Sequence, residues 1–125
     1  MKRIKSMEEI NADIVLLDSE DKQIIEEIVK YEEEIFHEGA IGIWNIKPFI
    51  KYGKVYALVS LEARLISAIE IMKDFEEHKA YIYGFFTKES FRNKGYGDMF
   101  LKNILEELHN IYDINKIELT VSQEN

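Results

Sequence analysis

The sequence predicts a mixed α+β domain built on a largely antiparallel central sheet with one parallel β-α-β crossover. Three observations predict it. Between residues 55 and 87 the chain passes through three apolar stretches separated only by short polar segments, which reads as a strand meander. Helical periodicity brackets that centre, before it up to Phe36 and after it from Gly97 onward. A last short apolar segment follows the second helix, and a strand–helix–strand run in one sheet must cross over in parallel.

Taken in order, Asp13 to Leu17 reads as a short strand. Asp18 and Ser19 then offer N-cap side chains for a helix from about Asp21 to Phe36. Its apolar residues Ile24, Ile28, Tyr31 and Ile35 share one face, with Glu26, Glu27, Glu33 and Glu34 off that stripe, and Gly39 and Gly42 break it. A short helix is expected over Lys47 to Lys51, with Pro48 near its first turn. Val55 to Leu61 and Leu65 to Met72 read as strands joined through Glu62-Ala63-Arg64. Asp74 to His78 leads to the strand Ala80 to Thr87. After Gly97, Phe100, Ile104, Leu108 and Ile111 recur at helical spacing, and Lys116 to Val121 is a final strand. The expected order is β-α-α-β-β-β-α-β.

A chain of 125 residues, 46% hydrophobic and 32% charged, suits one domain spanning 1–125 with its own hydrophobic core. It has no cysteine, which excludes disulfides, thiolate metal ligands and a cysteine nucleophile. The basic start, Met1 to Ser6, is followed by no apolar core, so it does not read as a secretory signal; no apolar run approaches membrane-spanning length, and a cytoplasmic location is expected. The net charge of −8 lies almost wholly in residues 1–40, where 12 acidic residues face 5 basic ones. That balance argues against broad nucleic-acid binding, and no membrane partner is expected. His37, His78 and His109 lack metal-ligand spacing, and no metal is assigned.

Against this acidic background, Arg92-Asn93-Lys94-Gly95-Tyr96-Gly97 forms a locally basic loop between a strand and a helix. Glycines let successive backbone N–H groups turn inward, and the first turn of the helix adds unpaired donors and a positive dipole end. Arg92 and Lys94 add charge at the same place. The arrangement builds an anion site suited to a phosphate-bearing cofactor. It is not a Walker loop, since no Lys-Ser/Thr pair follows the glycine, and it lacks the glycine triplet of a dinucleotide fold.

The strand, the Arg-x-x-Gly-x-Gly loop, the helix and the closing Leu119-Thr120-Val121-Ser122-Gln123-Glu124-Asn125 resemble the GNAT superfamily of acyl-CoA N-acyltransferases, as does the order of elements along essentially the whole chain. The resemblance implies a GNAT-like fold that transfers an acetyl group from acetyl-CoA (coenzyme A as carrier, no metal) to a primary amine, by direct attack in a ternary complex. It places Phe85, Phe86 and Thr87 along the pantetheine arm and the thioester. The amides of Asn93, Lys94, Gly95, Tyr96 and Gly97, with Arg92, would hold the pyrophosphate, and Asn125 would contact the cofactor. Gly84 would supply a bulge that opens a slot for pantetheine. The family's further helix and strands after that asparagine are missing here. The edge left at Lys116 to Val121 invites a homodimer or strand exchange. A noncatalytic coenzyme A-binding or partner-binding domain, or a strand-exchanged dimer module, is the alternative reading.

For catalysis, Glu70 is the candidate base, because it interrupts an apolar strand and shares its face with Ile66, Ala68 and Met72. The competing reading makes it a solvated edge residue or a lysine's ion-pair partner. Tyr83 is a second catalytic candidate, and Tyr81 lies beside it on alternating positions. Glu38, Trp44 and Asn45 fall in the connection that in this family shapes the acceptor site, so with Tyr81 they are expected to bind the amine, a small molecule or a peptide. Trp44 has the equal alternative of a hydrophobic anchor.

Overall fold

A computed structural model of the chain describes residues 1–74 and 76–119. Among the described residues the sheet has six strands in sequential order: β1 (Lys2–Met7), β2 (Ala12–Leu16), β3 (Lys54–Ser60), β4 (Leu65–Asp74), β5 (Lys79–Thr87) and β6 (Lys116–Leu119). Neighbours from β1 to β5 are antiparallel, and β5 and β6 are parallel from Lys79↔Lys116 to Ile82↔Leu119. The crossover is α3 (Tyr96–Tyr112), and α1 (Lys22–Phe36) and α2 (Gly42–Tyr52) join β2 to β3. The mixed α+β architecture is the expected one, with one strand more.

The extra strand is β1. Its side chains are almost all exposed, only Met7 being buried, so no alternation of apolar and polar residues marks it. Beside its backbone pairing it contributes only Met7 and the partly buried Ile4 to the core, and its lysines keep a sheet edge soluble.

Two apolar clusters cover the two faces of the sheet. One joins Ile24, Ile25, Ile28 and Val29 of α1 and Ile46 of α2 to Val55, Ala57, Ala68 and Phe86. The other joins Phe100, Ile104 and Leu108 of α3 to Tyr56, Leu58, Ile69 and Ile71. The stripe read on α3 thus holds for three of its four residues; Ile111 is 65% exposed, and the next residue, Tyr112, packs against the cluster in its place.

Other expectations are corrected. The second helix runs from Gly42 to Tyr52, so Pro48 lies inside it rather than in its first turn. A proline there leaves the Trp44 carbonyl without its usual N–H partner, which is tolerable where that residue is exposed to water. Helix α1 ends at Phe36 because His37 turns to φ 52°, not through Gly39; Gly42, at φ 74°, opens α2 instead. Asp18 and Ser19 do not cap α1. Asp18 accepts from the Glu20 amide (2.8 Å) and Asp21 from the Asp18 amide (2.8 Å), so the pair ties the turn before the helix. Ile66 does not share the face of Glu70. A bulge between Leu58↔Ser67 and Val59↔Leu65 shifts strand parity there, and Ile66 packs on the α3 face. The final strand is described as far as Leu119, and the rest of its expected span lies outside the described residues, as does Asn125.

Candidate active site

The carboxyl end of β5 and the start of α3 meet at the glycine-bearing loop. Gly95 caps α3 at φ 79°, a left-handed conformation that favours glycine, and Asn93 adopts another at φ 63°. No side chain caps α3, so the first-turn amides carry no side-chain acceptor. Gly97 serves a different need. A Cβ there would lie 2.6 Å from Thr87 Oγ1, so its missing side chain lets the helix close onto the strand end. Thr87 Oγ1 is 3.2 Å from the buried Ser67 hydroxyl, which donates to the Phe86 carbonyl. Asn93, Lys94 and Gly95 are exposed, and Tyr96 and Gly97 are half-buried.

Arg92 is placed otherwise than expected for a free phosphate ligand. Its Nε donates to the Thr87 carbonyl (2.9 Å) and its Nη2 to the Tyr31 hydroxyl (3.3 Å). The same hydroxyl accepts from the Glu89 amide (3.0 Å), and Lys88 pairs with Glu27 at 2.7 Å. Helix α1 therefore fastens the segment that leads into the loop. Arg92 keeps unused N–H groups and its charge near the loop, so the residues present fit a diphosphate held chiefly by backbone amides with Lys94 and part of Arg92.

Glu70 is fully buried on the face covered by α1 and α2, opposite Val55 and Gly84. It is neither a solvated edge residue nor a lysine's partner: its neighbour is Glu32 of α1, also fully buried. No protein donor among the described residues completes a hydrogen bond to any of their four carboxylate oxygens. The Ile41 amide lies close enough to favour the ionised form of Glu32 without completing such a bond. Loss of hydration pushes both acids up, Glu70 well above the usual carboxylate range, where the like charge of Glu32 raises it further. Glu32 was not anticipated, yet its signal is in the sequence: it falls one turn after Ile28 on the apolar stripe and interrupts it as Glu70 interrupts β4.

Over the two acids β5 bulges. Glu70 pairs with Gly84 and Ile71 with Ile82, leaving Tyr83 as the extra residue. The irregularity falls beside Gly84 in the pairing with β4, whereas the splay from the parallel neighbour that the sequence suggested there lies beyond the described residues of β6; Gly84 leaves room for Glu70. The Tyr83 ring, 43% exposed, stacks on Phe49 of α2 with centroids 5.2 Å apart. Tyr81 is on the same strand, 36% exposed. Phe86 is buried against Tyr31 at 4.8 Å, while Phe85 turns to the other face toward Phe100 at 6.3 Å. Trp44 is 81% exposed at the start of α2, with Lys47 5.8 Å above its ring, and Glu38 and Asn45 are exposed nearby in the chain. Trp44 is therefore no hydrophobic anchor. The structure gathers Glu70, Gly84 and Tyr83, and leaves Glu38, Trp44 and Asn45 at the surface.

A family model described as Acetyltransferase (GNAT) family matches residues 16–125. The chain belongs to the GNAT acetyltransferase family. Solved structures with the GNAT fold agree over most of its length. An aminoglycoside acetyltransferase from an uncultured soil metagenomic sample, in complex with trehalose, is 13% identical over 92% of this chain and 80% of its own, with a TM-score of 0.71. An IAA acetyltransferase from Bacillus cereus is 15% identical over 90% and 67%, at 0.68. A ribosomal-protein-alanine N-acetyltransferase from Brucella melitensis is 9% identical over 90% and 81%, at 0.67. No curated protein matches the chain. Among the described residues of this GNAT domain no cluster of three or more metal-ligating side chains occurs, and no helix is long and apolar enough to cross a membrane.

Proposed function

We propose that the chain transfers an acetyl group from acetyl-CoA to a primary amine by direct attack in a ternary complex. One observation carries this reading: the glycine-bearing loop at the start of α3 and the buried acids under Gly84 lie at the two ends of one short stretch of β5. The bound coenzyme A thioester supplies an acyl carbon open to nucleophilic attack. The loop amides of residues 93–97, with Lys94 and Arg92, hold the diphosphate, and the backbone of Phe85 to Thr87 lines the arm. Asn125 is assigned to the cofactor by the resemblance.

Acceptor amines arrive protonated and carry no nucleophilic lone pair, so a base must act first. Glu70, with its acidity weakened by burial, is that base, acting directly or through water. Tyr83, at the bulge, is the candidate proton donor to the leaving thiolate. Without cysteine the chain cannot form a thioester enzyme, which favours direct attack. Tyr81, Glu38, Trp44 and Asn45 form the outer acceptor surface. The structural neighbours include an aminoglycoside acetyltransferase and a ribosomal-protein-alanine N-acetyltransferase, so the amine is sought among both small molecules and peptides.

Calorimetric titration of acetyl-CoA, followed by an amine panel, tests the reading. Saturable binding near one per chain together with turnover supports it. Binding without turnover on any amine replaces it with a noncatalytic cofactor-binding domain, and absence of binding rejects the cofactor site. The same domain is a candidate homodimer through its β6 edge, which sedimentation would show.

A further inference from the structure

The basic residue of the turn between β3 and β4 reaches the glycine-bearing loop from the face opposite α1. The Arg64 guanidinium carbon lies 5.3 Å from the centroid of the Phe91 ring. Phe91 in turn packs on Tyr96, with ring centroids 6.1 Å apart. These two aromatics stand at the two ends of the loop, one immediately before Arg92 and the other immediately after Gly95. Both rings are half-buried against the apolar cluster on the α3 face.

The turn holds that arginine in place. The Arg64 amide donates to the Ser60 hydroxyl (3.0 Å), and the Ser60 amide donates to the Arg64 carbonyl (2.9 Å). The Ala63 amide donates to the Ser60 carbonyl (2.9 Å). Ala63 itself adopts φ 63°, an unfavourable value for a residue with a side chain, so these bonds hold the turn against a local cost. Further along β4, the Ile66 carbonyl accepts from the Lys88 amide (2.8 Å). The stretch that presents Arg64 therefore also fixes the start of the segment that ends in Phe91.

The loop needs bracing of this kind. Between the two rings the chain passes through two left-handed residues, Asn93 at φ 63° and Gly95 at φ 79°. Amides that are aimed by two such reversals keep their direction only while the ends of the loop stay fixed relative to one another. Tyr31 fastens the α1 side through Arg92. On the other face the Phe91–Tyr96 contact does so, with Arg64 against Phe91.

We propose that Arg64 is a positioning residue for the coenzyme A loop: its guanidinium pins the Phe91 ring against Tyr96 and so sets the direction of the amides of residues 93–97. This deepens the acetyltransferase reading and rests on it for the identity of the anion. Arginine suits the place, because its planar and weakly hydrated cation lies on an aromatic face while the rest of it stays in water. A surface arginine resting on a ring with no further role would change neither loop order nor cofactor affinity when truncated.

Backbone amide relaxation, measured by NMR on the free protein, reads the loop without any cofactor. Order parameters of residues 93–97 should fall in Arg64→Met from about 0.85, the rigid range, toward about 0.6. Arg64→Lys, which returns a cation to the ring, should recover most of that loss. Unchanged order in Arg64→Met overturns the proposal. Calorimetry with acetyl-CoA then reads the consequence: Arg64→Met should weaken binding about two- to five-fold, the worth of an exposed cation–π contact. In a Phe91→Leu background the same change should cost nothing more, since the ring it acts on is gone. A weakening that persists undiminished in that background, or one that vanishes at about 1 M salt, makes Arg64 a distant charge and overturns the positioning role. If the wild type binds no acetyl-CoA while the loop still loosens in Arg64→Met, the coenzyme A reading falls and the brace stands. Should Phe91→Leu misfold, the two Arg64 variants alone still decide.

Discussion

Glu70 fills the space that a side chain at Gly84 would need, its Oε1 2.5 Å and its Cδ 3.3 Å from the position of a Cβ there. The strand cannot take a larger residue without moving the acid. Gly84→Ala should therefore cost about 1–3 kcal/mol by overpacking a closed core site. Turnover should fall more steeply than stability, because Glu70 would swing from its place beside Glu32. Denaturant melts and acetylation rates on the same preparation separate the two effects.

Burial also gives stability a direction with pH. Both acids are held above their ordinary range in the folded protein, so between about pH 4.3, the unfolded value, and the raised folded value the native state binds more protons than the unfolded one. Their contribution to stability is present below that window and lost as pH rises through it. Glu70→Gln removes one titrating group, so its melting temperature should depend less on pH and exceed wild type above neutrality. Thermal melts across pH, in both proteins, would contradict this if the curves stay parallel.

In the loop, Arg92→Ala and Gly95→Glu should each weaken acetyl-CoA binding at least about tenfold, or about 1.4 kcal/mol. The first removes a cation together with the tie to Thr87 and Tyr31; the second puts an acid and a β-carbon at a left-handed position beside the helix start. Calorimetry giving wild-type affinity in both would remove the site.

Tyr31→Phe isolates the tie between α1 and the loop. The ring still stacks on Phe86, but the Glu89 amide and the Arg92 guanidinium lose their acceptor. A lost hydrogen bond of this kind is worth about 0.5–1.5 kcal/mol, so cofactor affinity should drop a few-fold with the fold intact. No change in affinity would mean that the loop is held by its own backbone.

At the acceptor surface, Trp44→Ala should leave stability within about 0.5 kcal/mol, since the ring is largely in water. If Trp44 meets the acceptor, KM for the amine rises with the affinity for acetyl-CoA unchanged. Unaltered KM would take Trp44 out of the acceptor surface.

The sequence alone determined the meander of strands, the parallel crossover through α3 and the glycine-bearing loop, because each is written in local periodicity and in residues adjacent along the chain. It also marked Glu70 and, less visibly, Glu32, as acids set in apolar stripes. Only the tertiary structure decided that they face one another, since the alignment of a helix over a strand depends on packing between elements far apart in sequence. Bulges hid two further facts. The one at Ile66 moved that residue off the face of Glu70, and the one at Tyr83 set Gly84 over it, because one extra residue reverses the in–out parity of a strand. Strand β1 was illegible because its backbone pairs while its side chains bury almost nothing. The turn of Arg92 toward Tyr31 was illegible too, since a long side chain goes to whatever acceptors the fold brings within its reach.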